Sequence, residues 1–284
     1  MCRQGRSFQF RKERGRLGGR RGTAMIGYIA YREDVKTWAV EEKNLLGLRF
    51  LRLTLPKGRR VLGKHYAGRA ARAMGKLGVR QAVFPTDFPW QELFARRGVL
   101  PVDTLPFYRR MAPQIVKKQM ADLGLSPGST TVAAVGDNLT GELSRILTEL
   151  ALQVRYLTVS MKYGAEEFCH SLRREYGVSV LQRPTRAQLE EAQALLLFSP
   201  REGLACTNPI VLHLYDGERV LQRNGVTFGL PPKLEGELEE NCSREQVLSA
   251  LLTAGILQND QIPVLEVDKA EKSYYNADTM TNIE

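Results

Sequence analysis

A chain of 284 residues, 43% hydrophobic and 25% charged, is long enough for one large or two modest domains, each able to bury a core, and has an ordinary globular composition. Its longest apolar runs, such as Ala194 to Phe198, are far too short to cross a bilayer, which excludes a membrane-spanning helix. The formal charge of +10 is unevenly placed: residues 1–24 carry eight basic side chains against Glu13 alone, so only a weak positive balance is left for the rest.

That leader reads as a disordered segment, or as sequence upstream of a true start at Met25, which opens directly into the apolar stretch IGYIAY. The alternative is a basic arm that touches phosphate. It has no apolar central region, so it does not read as a secretory signal. Cys2, Cys169, Cys206 and Cys242 are scattered and form no CxxC pair, and only His65, His170 and His213 accompany them. Neither a zinc site nor a disulfide framework is indicated, and no metal is expected. Cys169 and His170 are neighbours on an expected helix, where adjacent side chains diverge by about 100°. Unpaired thiols without a signal point to the cytoplasm.

From Met25 onward, strands are expected at Ile26 to Ala30 and Phe50 to Leu55, separated by a polar stretch over Tyr31 to Asn44. The loop KGRR at 57–60 reads as a solvated turn rather than a phosphate patch. Ala67, Ala70, Ala71, Met74 and Leu77 share one helical face that stops near Gly78, and Gln81 to Phe84 makes a third strand. Strand, helix, strand with short links argues for an α/β layer. The stretch FPTDFPW at 84–90 then offers either one wall of a cleft or an aromatic staple that fixes the following helix, and the staple is the favoured reading. A long helix is expected over 104–124, with Pro113 imposing a kink or a junction between two helices. LGLSPGST, residues 123–130, is rich in breakers and marks a boundary.

The second half alternates apolar strands with amphipathic helices. Strands are expected at Val132 to Val135, Val154 to Val159, Val178 to Leu181, Ala194 to Phe198 and Ile210 to Leu214, and helices at 141–153 and 165–176. Such continuous apolar strands belong to a parallel sheet covered on both faces. Asp216-Gly217 would turn the chain into a strand at Glu218 to Leu221, and Asn224-Gly225 into another at Val226 to Phe228. A last helix spans Ser243 to Ala254, with Ser243 and Gln246 in capping-box spacing, and a tail ends the chain. The expected division is a leader at 1–24, a smaller α/β domain at 25–125, a Rossmann-like domain at 126–230, and a C-terminal helix and tail at 231–284.

The motif that gives this alternation a functional meaning is GDNLTG at 136–141, between an apolar strand and a helix. Laid on the dinucleotide-binding pattern GxGxxG, Gly136 supplies the tight turn and Gly141 the close packing of helix on sheet, while Asn138 replaces the middle glycine and Leu139 and Thr140 fill the rest. The middle position admits a pyrophosphate to the helix N-terminus, and there Asn138 brings a side chain. Residues 126–230 thus resemble a Rossmann-type domain, and their place after a smaller α/β domain is similar to the arrangement in the shikimate dehydrogenase and glutamyl-tRNA reductase families.

The resemblance implies a mostly parallel sheet with helices on both faces. It also implies a ligand site built on Gly136, Asn138, Leu139, Gly141, Ser160 and Lys162. NAD-binding domains of this kind carry an acid at the end of the second strand, whereas here stand Ser160, Met161 and Lys162, which look more like a seat for the 2′-phosphate of NADP. No catalytic residue carries over. Lys64 with Asp87 or Asp103 lacks the sequence context of the shikimate dehydrogenases' Lys and Asp, and no cysteine after Cys2 stands in the first domain to match the reductases' nucleophile. The expected function is a small-ligand-binding or degenerate, non-catalytic Rossmann-like protein whose partner, if it binds one, is a small anion. The alternatives are an NADP-dependent oxidoreductase with its site between residues 84–90 and the carboxyl ends of strands 132–135 and 194–198, and a nucleic-acid binder acting through the leader. Homo-oligomer formation is left open.

Overall fold

The structure is a computed structural model that describes residues 25–57, 60–216, 225–239 and 241–267. Two five-stranded sheets are joined by a shared helical layer. The first sheet is built from β1 (Ile26–Arg32), β2 (Ala39–Leu45), β3 (Leu48–Pro56), β4 (Gln81–Val83) and β5 (Leu100–Pro101), in the order β2-β3-β1-β4-β5. All of its pairings are parallel except that of β2 with β3. Helix α1 (Arg60–Lys76) links β3 to β4, and the short α2 (Gln91–Ala95) links β4 to β5.

Strand β2 falls inside the stretch expected to be irregular. Its side chains are mostly exposed, so the period-2 signal that marks a half-buried strand is missing from AVEEKNL. What forms it is the hairpin turn at Leu46 and Gly47, both with positive φ (52° and 95°), closed by the Asn44 side chain accepting from the Gly47 N–H at 2.7 Å. Helix α1 starts at Arg60, ahead of the face expected from Ala67 onward, and buries Ala67, Ala70, Ala71 and Met74, while Leu77 lies beyond its end and is exposed. The aromatics of FPTDFPW act as a staple: Phe84, Phe88 and Trp90 are buried and pack edge-on with Tyr31 and Phe94. Trp90 lies so close over Gly63 that a Cβ there would be 2.2 Å from the indole ring.

Helix α3 (Leu105–Asp122) runs unbroken through Pro113, so the two-helix junction is not formed. Proline lacks the N–H that would bond the carbonyl of Arg109. The helix survives this loss because Phe107, Met111, Ala112, Ile115, Val116 and Met120 are all buried around it, and each large apolar side chain so buried contributes about 1.5–3 kcal/mol.

The second sheet follows: β6 (Thr131–Asn138), α4 (Gly141–Gln153), β7 (Tyr156–Tyr163), α5 (Ala165–Tyr176), β8 (Val180–Gln182), α6 (Arg186–Glu191), β9 (Ala194–Leu197) and β10 (Ile210–His213). Every pairing is parallel, and the order β8-β7-β6-β9-β10 places third, second, first, fourth and fifth strand side by side. That is the Rossmann order, with the chain reversing direction across the sheet between β6 and β9. Val132, Ala134, Leu157, Val159 and Leu196 face α3, α4 and α5, whereas Ala133, Val135, Leu195 and Leu197 face the α6 side with Leu189 and Ala192. Helices therefore cover both faces. The C-terminus of α6 is closed by Asn208, whose amide donates to the carbonyls of Leu189, Glu190 and Ala192 at 2.9, 3.3 and 2.7 Å.

Beyond the second sheet, β11 (Val226–Phe228) pairs antiparallel with β12 (Val264–Val267), and α7 (Arg244–Thr253) packs on α3. The expected strand Glu218 to Leu221 lies outside the described residues, and among the described residues β12 pairs with β11. The capping box at the start of α7 does not form. Ser243 makes no cap through its side chain, and the Gln246 side-chain oxygen accepts from the backbone N–H of Phe84 at 2.8 Å. Together with Thr86 N–H donating to the Asn241 carbonyl at 3.0 Å, this ties the C-terminal segment to the first sheet. One buried apolar cluster runs from Tyr28 and Phe50 through α3 and α7 to Val132 and Leu196, so the first sheet, the helical layer and the second sheet share a core.

Candidate functional site

In a doubly wound sheet the ligand crevice lies outside the carboxyl ends of the strands, where the winding reverses. Here that place is bounded by the ends of β6, β7 and β9. The sequence pattern places a turn at Gly136, but β6 continues to Asn138, with Gly136 paired to Met161 and Asn138 to Tyr163. Gly136 is thus a buried strand residue whose φ is open to any L residue. A Cβ at Gly136 would lie 2.7 Å from Met161 Sδ and 3.3 Å from Phe198 Cβ. Met161 of β7 and Phe198, the residue that follows β9, therefore occupy the space that the glycine leaves.

The turn itself is reduced to Leu139 and Thr140. Leu139 N–H donates to the Tyr163 carbonyl at 3.1 Å, and a Cβ on the left-handed Gly164 (φ +81°) would stand 3.1 Å from Leu139 Cβ. The loops after β6 and β7 are therefore bonded to each other, to one side of the switch point between β6 and β9. Gly141 opens α4, and Thr140 is its cap, the hydroxyl accepting from Leu143 N–H at 3.3 Å. Glu142, in the first turn, adds a carboxylate to the positive end of the helix dipole and lies 3.7 Å from Arg110. Arg110 also donates to the Leu252 carbonyl at 3.2 Å, and its neighbour Arg109 to that of Leu214 at 2.8 Å.

The two residues expected at the end of the second strand are both on β7. Lys162 Nζ meets Asp137 at 2.7 Å, with both side chains about half exposed, at 59% and 43%. An ion pair this open to water is worth about 0–1 kcal/mol. The hydrogen bond from Lys162 holds the Asp137 carboxyl below the usual carboxylate range, and the nearby Ser199 hydroxyl and Arg201 charge act in the same direction. Ser160 is half-buried beside Met161. Structure therefore brings Gly136, Asn138, Leu139, Gly141, Ser160 and Lys162 to one edge of the sheet, and adds Asp137, Met161, Phe198 and Ser199. Of these, Phe198 carries a local signal, since it extends the continuous apolar run of β9, whereas Met161 is only partly buried.

The residues present do not fit a pyrophosphate at this position. The row above Gly136 is filled, the first turn of α4 is already capped and carries an acid, and Lys162 is engaged by Asp137. The other residues weighed for chemistry are dispersed. Cys169 is buried and its thiol is pushed up by burial, while His170 is exposed on α5, so the two point apart. Asp103 accepts from Leu105 N–H at 2.9 Å at the start of α3, Asp87 is exposed on the aromatic loop, and Lys64 is on α1. No cluster of three metal-ligating side chains exists among the described residues. No described helix is long and apolar enough to cross a membrane.

No family model and no curated protein matches the sequence. Among solved structures, the chain is similar to L-tryptophan dehydrogenase from Nostoc punctiforme at 10% identity, over 82% of this chain and 73% of that one, with a TM-score of 0.34. It is also similar to aspartate transcarbamoylase from Trypanosoma cruzi at 11% identity over 82% of each chain (TM-score 0.31), and to shikimate 5-dehydrogenase from Listeria monocytogenes at 10% identity over 62% and 68% (TM-score 0.25). At such identities and scores the Rossmann-like assignment rests on the strand order and the two covered faces of this chain itself.

Proposed function

We propose that this protein is a non-catalytic Rossmann-like module whose dinucleotide site is closed by its own side chains. The observation that carries the reading is that Gly136, near the end of β6, is packed between Met161 of β7 and Phe198, the residue that follows β9. Supporting it are the cap and acid on the first turn of α4. A dinucleotide would have to displace Met161, break the Asp137 and Lys162 pair and approach Glu142, each step costing free energy that its contacts would need to exceed. The fold then serves as a rigid body that holds other surfaces in place.

The test is a thermal-shift titration of the full chain with NADP, NAD, S-adenosylmethionine and ATP. A ligand bound at 100 times its Kd stabilises by about 2.7 kcal/mol, a shift of several degrees for a chain of this size. The expected outcome is no shift at millimolar concentration. A saturable shift with one cofactor at micromolar affinity would overturn the proposal, and loss of that shift in Gly136→Val would place the site where the motif lies.

A further inference from the structure

Helix α1 carries Arg60, Lys64, Arg69, Arg72 and Lys76, and no acidic residue. At 100° per residue, Lys64, His65, Arg69, Arg72 and Lys76 fall within one arc of the helix, opposite the arc of Ala67, Ala70, Ala71 and Met74 that packs into the core. The charged arc forms one side of an open cleft of about 770 Å³, and Arg96 and Arg97 at the end of α2 form the other. Gly68 lies on its floor, where an added Cβ would meet nothing within 4 Å.

Lys64, Arg69, Arg72, Lys76, Arg96 and Arg97 are exposed. Arg96 pairs with Glu92 at 2.7 Å, while among the described residues no carboxylate lies within ion-pair distance of Lys64, Arg69, Arg72 or Arg97. Like charges at helical spacings of three and four, such as Arg69 with Arg72 and Arg72 with Lys76, repel and weaken a helix. A bound polyanion would relieve that repulsion.

The shape of the patch selects which polyanion. At about 1.5 Å per residue, Lys64 to Lys76 extends about 18 Å, the axial rise of roughly five base pairs of a duplex at 3.4 Å each. A compact phosphate ligand needs convergent donors in an enclosed pocket. The cleft is instead open, with its charges on long side chains spread in a line. We infer that the α1 and α2 cleft binds the phosphodiester backbone of a nucleic acid, without reading its bases. The surface is separate from the closed edge of the second sheet, so neither reading depends on the other.

The test is fluorescence anisotropy of the full chain with 20-mer duplex DNA, single-stranded DNA and duplex RNA, each over 50–200 mM salt. The triple variant Arg69→Gln/Arg72→Gln/Arg97→Gln is compared with Arg145→Gln/Arg155→Gln/Arg173→Gln, a charge-matched change on and beside the helices of the second sheet. For a cleft contacting three phosphates of B-DNA through these residues, the slope of log K against log salt should fall by about 2.7, or by about 2 for a single strand. Affinity at the lowest salt should drop at least about tenfold, and the control triple should behave as wild type. Equal losses in the two triples, or no retention of any nucleic acid by wild type at 50 mM salt, would overturn the inference. So would competition by inorganic tripolyphosphate at micromolar concentration, which would make the cleft a small-anion site. Because all six side chains are exposed, unchanged melting temperatures are expected and are measured alongside.

Discussion

Replacing Gly136 by alanine tests the filled row directly. The backbone there is open to any L residue, so the substitution brings no φ strain, and by restricting the unfolded chain it would stabilise by about 0.4–1 kcal/mol if the space were free. The added methyl instead meets Met161 Sδ at 2.7 Å, its Cε at 3.2 Å and Phe198 Cβ at 3.3 Å. Met161 can rotate away, but Phe198 Cβ is fixed to its backbone, so overpacking of about 1–3 kcal/mol is expected. The net loss is about 1–2 kcal/mol, or a fall in Tm of about 2–8 °C for a chain of this length. Met161→Ala removes the closest two atoms. The double variant Gly136→Ala/Met161→Ala should therefore lose less than the sum of the singles, with a coupling of about 0.5–2 kcal/mol measured by urea denaturation. If Gly136→Ala were as stable as wild type or more so, and the cycle additive, the space above Gly136 would be open and the closed-site reading would fail.

Two further outcomes follow from buried polar groups. Asn208→Ala should destabilise by about 1–3 kcal/mol, because the carbonyls of Leu189, Glu190 and Ala192 lose their shared donor, and limited proteolysis should find its first new cuts around α6. Alkaline pH should weaken the fold through Cys242, whose thiol burial pushes up from 9.0 to about 11. A raised pKa means that this contribution is complete below pH 9 and is lost as pH rises from 9 to 11, about 2–3 kcal/mol in all. Tyr28, beside it, is raised by burial too and shifts stability the same way from pH 10 upward. Urea midpoints measured at pH 8 and pH 10 should therefore fall more steeply in wild type than in Cys242→Ala; equal slopes would show that the thiol is not buried as described.

The second sheet was largely legible in the order of residues. Helices α4 and α5 occupy the spans that their apolar stripes mark, because each stripe is a local property of 3.6-residue periodicity and the buried face follows from it. The same holds for the cores of β6, β7 and β9, whose continuous apolar runs require cover on both faces. Fold class is thereby set by the sequence alone.

What tertiary structure decided is everything that needs two distant segments at once. Strand β2 has no buried face to announce it and exists through its pairing with β3, and β12 exists through β11. Gln246 stands at capping-box spacing, yet its oxygen goes to Phe84, 162 residues away, because α7 is carried against the first sheet. Pro113 does not end α3, whose buried residues lie on both sides of it. The row of Met161, Gly136 and Phe198 joins β7, β6 and the residue after β9, segments separated by intervening crossovers, and a motif read along one strand cannot see its neighbours. In the same way the cations of α1 are diluted in a chain-wide charge count and become a patch only when the core fixes which face of the helix is turned outward and brings Arg96 and Arg97 beside it. Periodicity is local and determines elements; the filling of a site depends on register between elements, and that is settled only when the sheet assembles.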